Sequence, residues 1–377
     1  MKKIWFFNAY TLPKTVRAAF LTVYLLLLTI VVWAATEPSD TLKYTDASEF
    51  ELIGKGFQDT QTRYERLPAS LESLTRPPVW SLSKNSSGLA VRFRTNSEII
   101  AVRWEVTKNT VMNHFAPTGI KGVDLYCLEG GNWLFVNSGR PSTEKLTNAV
   151  IISHMVGVEK EYMLYLPLYD GVSRLEIGVS HGAFIGNPLV DSPRKTKPVV
   201  FYGTSITQGG CASRTGMAYP SILARMLDRQ TINLGFSGNG RLDLEVAEAM
   251  ADLDASCFVI DCLPNCTPEL MRENYIRFFQ ILRDKNPQVP ILLVENLHYS
   301  HMAFSTSVNE TVNAKNTLLQ EIYRELKKKG DRRVYYLKAD NLIGNDLEPS
   351  VDGVHLTDLG FLRLAQNMYP VIRKLIR

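Results

Sequence analysis

Cysteine is scarce in this chain: five among 377 residues, at Cys127, Cys211, Cys257, Cys262 and Cys266. An odd number at irregular spacing is not a disulfide framework. Cys262 and Cys266 stand four apart, but no pair of histidines nearby completes a zinc set. An excess of one charge sign is also lacking. The formal net charge of +4 resides in residues 1–35, which carry Lys2, Lys3, Lys14 and Arg17 and no acid. Beyond them, basic and acidic residues balance at 38 each. Net charge therefore gives no reason to expect nucleic acid as a partner. The chain has no internal repeat, no low-complexity tract and no Gly-Lys-Ser/Thr phosphate loop. Gly235, Gly238 and Gly240 lack the Gly-x-Gly-x-x-Gly spacing of a dinucleotide site. Gly235-Phe236-Ser237-Gly238-Asn239 misses the Gly-x-Ser-x-Gly elbow at its fifth residue.

What is present begins with a leader. The basic residues above precede or open an apolar run from Ala18 to Ala35, and Thr36-Glu37-Pro38-Ser39-Asp40 follows. This pattern predicts a signal peptide over 1–35, or an uncleaved membrane anchor, since the run is near the lower length for spanning. Either reading implies export, to a periplasmic or extracellular location. The length suggests two domains, and a hydrophobic content of 45% supplies core for both.

Residues 41–190 read as β-sandwich or jelly roll. Val91, Phe93 and Thr95 alternate with Arg92 and Arg94; after Asn96-Ser97-Glu98, Val102, Trp104 and Val106 alternate with Arg103 and Glu105. This predicts a hairpin with one buried face. Gly122–Cys127 and Trp133–Val136 flank Glu129-Gly130-Gly131-Asn132, a second hairpin signal. Strands are also expected over Tyr162–Leu168 and Leu175–Val179. Residues 191–198, with Pro193, Pro198 and a basic cluster, read as a linker.

From 199 to 377 strands and helices alternate. Strands are expected at Val199–Tyr202, Ile232–Phe236, Cys257–Cys262, Ile291–Glu295 and Val334–Leu337. Helices are expected near Ala218–Leu227, Leu242–Met250, Pro268–Lys285, Val312–Lys329 and Leu359–Ile376. That alternation implies a parallel five-stranded sheet covered on both faces, with ligands held beyond the carboxyl ends of its strands.

The first of these strands ends in Gly203-Thr204-Ser205, which presents a serine at its tip. Read alone, this is also an ordinary helix cap, a role open to Thr204 or Thr207. Three later blocks favour chemistry: Asn233–Gly240, Asp261-Cys262-Leu263-Pro264-Asn265 and Asp352-Gly353-Val354-His355. A serine hydroxyl needs a base, and His355 can take its proton while Asp352 orients the ring. Ser205 N–H, Gly238 N–H and the Asn265 amide are candidate donors to an oxyanion.

These four blocks, Ser205, Gly238, Asn265 and Asp352/His355 in order, resemble the SGNH-type hydrolases of the GDSL esterase/lipase superfamily. Gly122-Val123-Asp124-Leu125-Tyr126 resembles the Gly-x-Asp-Leu-Tyr signature of a β-domain preceding some of them. The resemblance implies a flavodoxin-like three-layer α/β/α domain, metal-free ester hydrolysis and an acyl-serine intermediate. It implies no cofactor. Two-domain relatives include carbohydrate esterases, which points to an acylated carbohydrate as substrate. The first block departs from the family in reading Gly-Thr-Ser where Gly-Asp-Ser is usual. The third reads Leu-Pro-Asn rather than Gly-x-Asn-Asp.

His114 sits in a polar loop that can reach the site from the β region, or is an ordinary loop histidine. His298 and His301 follow the fourth strand, beside Glu295, with no third convincing ligand for a metal, so Glu295 and His298 are taken as substrate-lining. The sequence thus predicts an exported serine esterase acting on acetyl or other short acyl groups. A lipase, thioesterase or acyltransferase on the same residues is the alternative, as is an inactive glycan-binding protein.

Overall fold

The computed structural model describes residues 42–377; the expected leader lies outside them. The first half of the described chain is built from ten strands. In order they are β1 (Leu42–Asp46), β2 (Glu51–Ile53), β3 (Ala90–Thr95), β4 (Ile100–Val106), β5 (Val123–Glu129), β6 (Asn132–Gly139), β7 (Leu146–Ile152), β8 (Lys160–Tyr165), β9 (Val172–Ser180) and β10 (Ile185–Gly186). One sheet runs β1-β9-β4-β7; the other runs β10-β3-β8-β5-β6, with β2 beside β3. This strand order is a jelly roll. The core between the sheets is filled by Val102, Trp104, Leu175 and Ile177 from the first and Phe93, Val123, Leu125 and Leu164 from the second.

The topology overturns one expected hairpin. β3 pairs with β8, and β4 with β7 and β9, so these neighbours in sequence lie in different sheets. In a jelly roll most consecutive strands cross from sheet to sheet, which local alternation cannot reveal. The β5–β6 hairpin does form, with Glu129 opposite Asn132.

The alternation also mispredicts exposure. The outer face of the second sheet carries Tyr126, Met163 and Tyr165, all buried. Arg92 is only 1% exposed; its guanidinium donates to Glu161 at 2.9 Å and lies over the Trp133 ring. Part of this face is covered by the second half of the chain. Asp124 accepts from Arg214 Nη1 and from Gly216 N, each at 2.8 Å, and Tyr126 accepts from Arg214 at 2.7 Å. The alternate residues of the same strand, Val123 and Leu125, enter the sandwich core. Tyr44–Arg377 accordingly form one compact unit.

The second half contains β11 (Arg194–Gly203), β12 (Arg229–Gly235), β13 (Cys257–Asp261), β14 (Ile291–Val294) and β15 (Val334–Leu337). All are parallel, in the order β12-β11-β13-β14-β15. β11 begins five residues before the expected Val199, because Arg194 already pairs with Arg229. Along β11 the side chains alternate between the two faces. Val200 and Tyr202 join a core with Val246, Met271 and Leu319, from the helices Leu244–Ala251, Pro268–Lys285 and Thr306–Lys328. Val199 and Phe201 join the opposite core with Leu223 and Leu364, from Tyr219–Leu227 and Asp358–Leu375. The third of these helices starts six residues before the expected Val312, where Ser305 Oγ caps it by accepting from Val308 N.

This is the flavodoxin-like strand order, and its switch point lies between β11 and β13. Gly203 is in register with both Gly235 and Asp261, so three strands end side by side at that point. Among the described residues, no helix is long and apolar enough to cross a membrane.

Candidate active site

β11 delivers Ser205 to the switch point. Thr204 caps the short helix Ser205–Gln208, its hydroxyl accepting from Ile206 N at 3.3 Å. Thr207 is engaged elsewhere: its hydroxyl meets Asp261 at 3.3 Å and Tyr219 at 3.2 Å. The capping role left open between the two threonines therefore falls to Thr204.

Ser205 Oγ lies 3.0 Å from His355 Nε2. On the other side of the ring, Nδ1–H donates to Asp352 Oδ2 at 2.7 Å. Asp352 Oδ1 accepts from the His355 and Val354 N–H groups at 2.8 and 3.0 Å. Burial pushes the Asp352 carboxyl up, but the hydrogen bonds from His355 and Val354 outweigh it and hold the group down at about 2. A carboxylate so fixed keeps the imidazole tautomer in which Nε2 faces the serine as an acceptor, the requirement for proton removal. The loop carrying them is closed by Val351 N donating to His355 O and by His301 Nδ1 donating to the Gly353 carbonyl at 3.1 Å.

The structure also distinguishes the competing glycines of the second block. A Cβ on Gly235 would stand 2.2 Å from Gln208 N, and one on Gly240 would stand 2.1 Å from Gly203 O. Both glycines serve close backbone packing. Gly238, with φ +67°, faces open space, the position available to a ligand. In the third block, Asn265 Oδ1 accepts from Gly240 N at 3.3 Å, which leaves its NH₂ group as the free end of the amide.

His114 reaches this cluster. Its ring centroid lies 5.9 Å from that of His355. Its loop is organised by Asp170, a fully buried carboxylate that accepts from Thr107 Oγ1 and the N–H groups of Lys108, Thr110 and Gly171. Next to His114, Phe115 packs edge-on against Tyr169. No hydrogen bond links Glu295 or His298 to this cluster among the described residues. Glu295 accepts from the Tyr336 hydroxyl and from Ala339 N, tying β14 to β15 and the turn beyond it. His298 is exposed, and it is His301 that touches the His355 loop.

Several supporting residues were not visible in the motifs. Gln208 Oε1 accepts from Ser237 N at 2.9 Å, and its amide donates to the Leu168 carbonyl. Arg66, 4% exposed, donates to the carbonyls of Leu82, Asn85, Asn233 and Gly235. No carboxylate pairs with it among the described residues, and burial pushes it down to about 9. Lys315 donates to the carbonyls of Leu263 and Pro264, also without a carboxylate partner among the described residues. Arg66 thus holds the end of β12, just before Gly238, and Lys315 holds the turn that carries Asn265. Nothing in their neighbours, Glu65 and Leu67 for Arg66 and Ala314 and Asn316 for Lys315, marks either as buried, so the sequence does not find them.

Known proteins agree with this architecture. The GDSL-like lipase/acylhydrolase family matches residues 196–373. The N-terminal region of SGNH-hydrolase-type esterases, the GxDLY family, matches residues 42–185. No curated protein matches the chain significantly in sequence. Among solved structures, a protein designated a GDSL-like lipase from Bacteroides ovatus ATCC 8483 is 38% identical, with a TM-score of 0.85; the match covers 89% of this chain and 98% of that one. A salicylyl-acyltransferase from a tetracycline biosynthetic pathway is 19% identical, covering 90% and 96%, at TM-score 0.70. A family two carbohydrate esterase from Cellvibrio japonicus is 13% identical, covering 89% and 98%, at TM-score 0.57. The last two share the fold. The family match and the 38%-identical neighbour, together with this architecture, make the chain an ester hydrolase. The chain belongs to the GDSL-like lipase/acylhydrolase family.

Proposed function

We propose that the protein hydrolyses acetyl or other short acyl esters on carbohydrate through an acyl-serine intermediate. The observation that carries this reading is the hydrogen-bonded chain Ser205–His355–Asp352 at the switch point of the sheet. Ser205 Oγ attacks the ester carbonyl as its proton passes to His355 Nε2, and Asp352 stabilises the imidazolium. The oxyanion is met by Ser205 N–H, Gly238 N–H and the Asn265 amide. His355 then returns the proton to the leaving sugar oxygen, and water repeats the sequence to release the acid. His114, beside the His355 ring, contacts the bound substrate from the β half. The likeness in fold to a carbohydrate esterase supports the substrate class. The basic and apolar leader supports export.

Wild-type protein and Ser205→Ala are to be compared on 4-nitrophenyl acetate and, by mass spectrometry, on acetylated oligosaccharides. The variant is expected to lose roughly 10⁴–10⁶ in kcat. Equal rates in the two proteins would overturn the role of Ser205, and an unchanged set of oligosaccharide masses would overturn the substrate class.

A further inference from the structure

His114, Cys211 and His355 each offer one ligand atom, and these three atoms lie within 4.8 Å of one another. They come from three separate segments: the β-half loop, the turn after the Ser205 helix and the C-terminal loop. We infer that they form an inhibitory site for a borderline-soft divalent ion of the zinc class. Zinc favours this donor set, two imidazoles and a thiolate, with one position left for water. Ligands around a tetrahedral zinc stand roughly 3.5 Å apart, so the widest pair must close by about an ångström.

Three further features of the site favour the ion. His355 already donates Nδ1–H to Asp352 at 2.7 Å, the carboxylate–histidine arrangement that orients a ring for a metal on its other nitrogen. Cys211 Sγ has no hydrogen-bond partner among the described residues, whereas Cys127, Cys257 and Cys266 each donate to a carbonyl. Asp170 and the Phe115–Tyr169 contact hold the His114 loop over the site.

On binding, the Cys211 proton leaves to solvent and the thiolate, His114 and His355 Nε2 take the ion. The Ser205–His355 hydrogen bond is then broken. The inhibitory consequence rests on the proposed role of His355 as base; the binding site itself does not.

The test uses the full chain and Co²⁺ as a spectroscopic probe. A thiolate-to-cobalt charge-transfer band is expected in wild-type protein and in Ser205→Ala, and is expected to be absent in Cys211→Ser and Cys211→Ala. Zn²⁺ is expected to inhibit hydrolysis of 4-nitrophenyl acetate at concentrations at least tenfold lower for wild type than for Cys211→Ser, with EDTA restoring the rate. No band in wild type, or a band that survives in both Cys211 variants, would overturn the site. A cobalt band in a protein without esterase activity would leave the metal site standing and remove the proposed function instead. Equal Zn²⁺ sensitivity of wild type and Cys211→Ser would overturn the inhibitory role.

Discussion

The two halves of the molecule divide the work unequally. The α/β half holds Ser205, Gly238, Asn265, Asp352 and His355, each within a few residues of a strand end or in a loop before a helix. The jelly-roll half contributes His114 and much of the support: Arg66, between β2 and β3, under β12, Asp170 behind the His114 loop and Asp124 against Arg214. The difference teaches that the reacting groups come as short local blocks, whereas the groups that aim them act across long sequence separations. Arg66 meets Gly235 across 169 positions, while Asp352 meets His355 across three.

Substitutions can test that division. After Ser205→Ala, the largest effect is expected from Asn265→Ala, in the reacting half: a kcat loss of about 10²–10³ with a small change in Tm. A variant with full kcat would remove Asn265 from the oxyanion site. Arg66→Met should instead act on both stability and rate. It removes a donor from each of four backbone carbonyls, at a cost of about 3 kcal/mol or more by denaturant unfolding, with kcat lowered as the Gly238 loop shifts. A stability loss with kcat unchanged would confine Arg66 to the fold. Asp170→Ala frees four donors at the base of the His114 loop. KM is expected to rise several-fold with kcat nearly kept, measured by steady-state kinetics; a change in kcat alone would contradict the positioning role.

The smallest expected effect is on pH dependence. Burial raises the Asp261 carboxyl to about 7, against which the hydroxyls of Tyr219 and Thr207 give partial relief. Its ordinary value is 3.8, so between about 4 and 7 the folded state holds more protons than the unfolded one. Stability from this group therefore falls as pH rises through that window. Asp352 acts in the opposite sense: held at about 2, it loses its contribution as pH falls from about 4 towards 2. Asp261→Asn should flatten the decline of Tm between pH 4 and 7. An unaltered slope would show that Asp261 does not titrate there.

Legibility in the sequence follows the same division. The parallel strands were readable because each is a short apolar run followed by an amphipathic helix. Pro268–Lys285 and Val334–Leu337 form over the expected residues. The β half was readable as a class but not as a pairing, because β3 and β4 carry identical alternation whether they pair with each other or lie in opposite sheets. Glu295 and His298 were nominated by proximity to a strand end, and that criterion cannot tell a carboxylate facing the crevice from one tying β14 to β15.

The strand–helix alternation, the four blocks and the Asp352–His355 pair are all local in the chain, and so they can be read from residue order. Tertiary structure alone decided that Gly238, not Gly235 or Gly240, faces open space, and that Thr204 rather than Thr207 caps the helix. It alone brought His114 and Cys211 beside His355. The physical reason is that burial, close backbone approach and the satisfaction of buried donors depend on what packs from elsewhere in the chain. At Ser205 the two levels meet: local sequence ends the strand on a serine, and a loop 150 residues later places an imidazole against its hydroxyl.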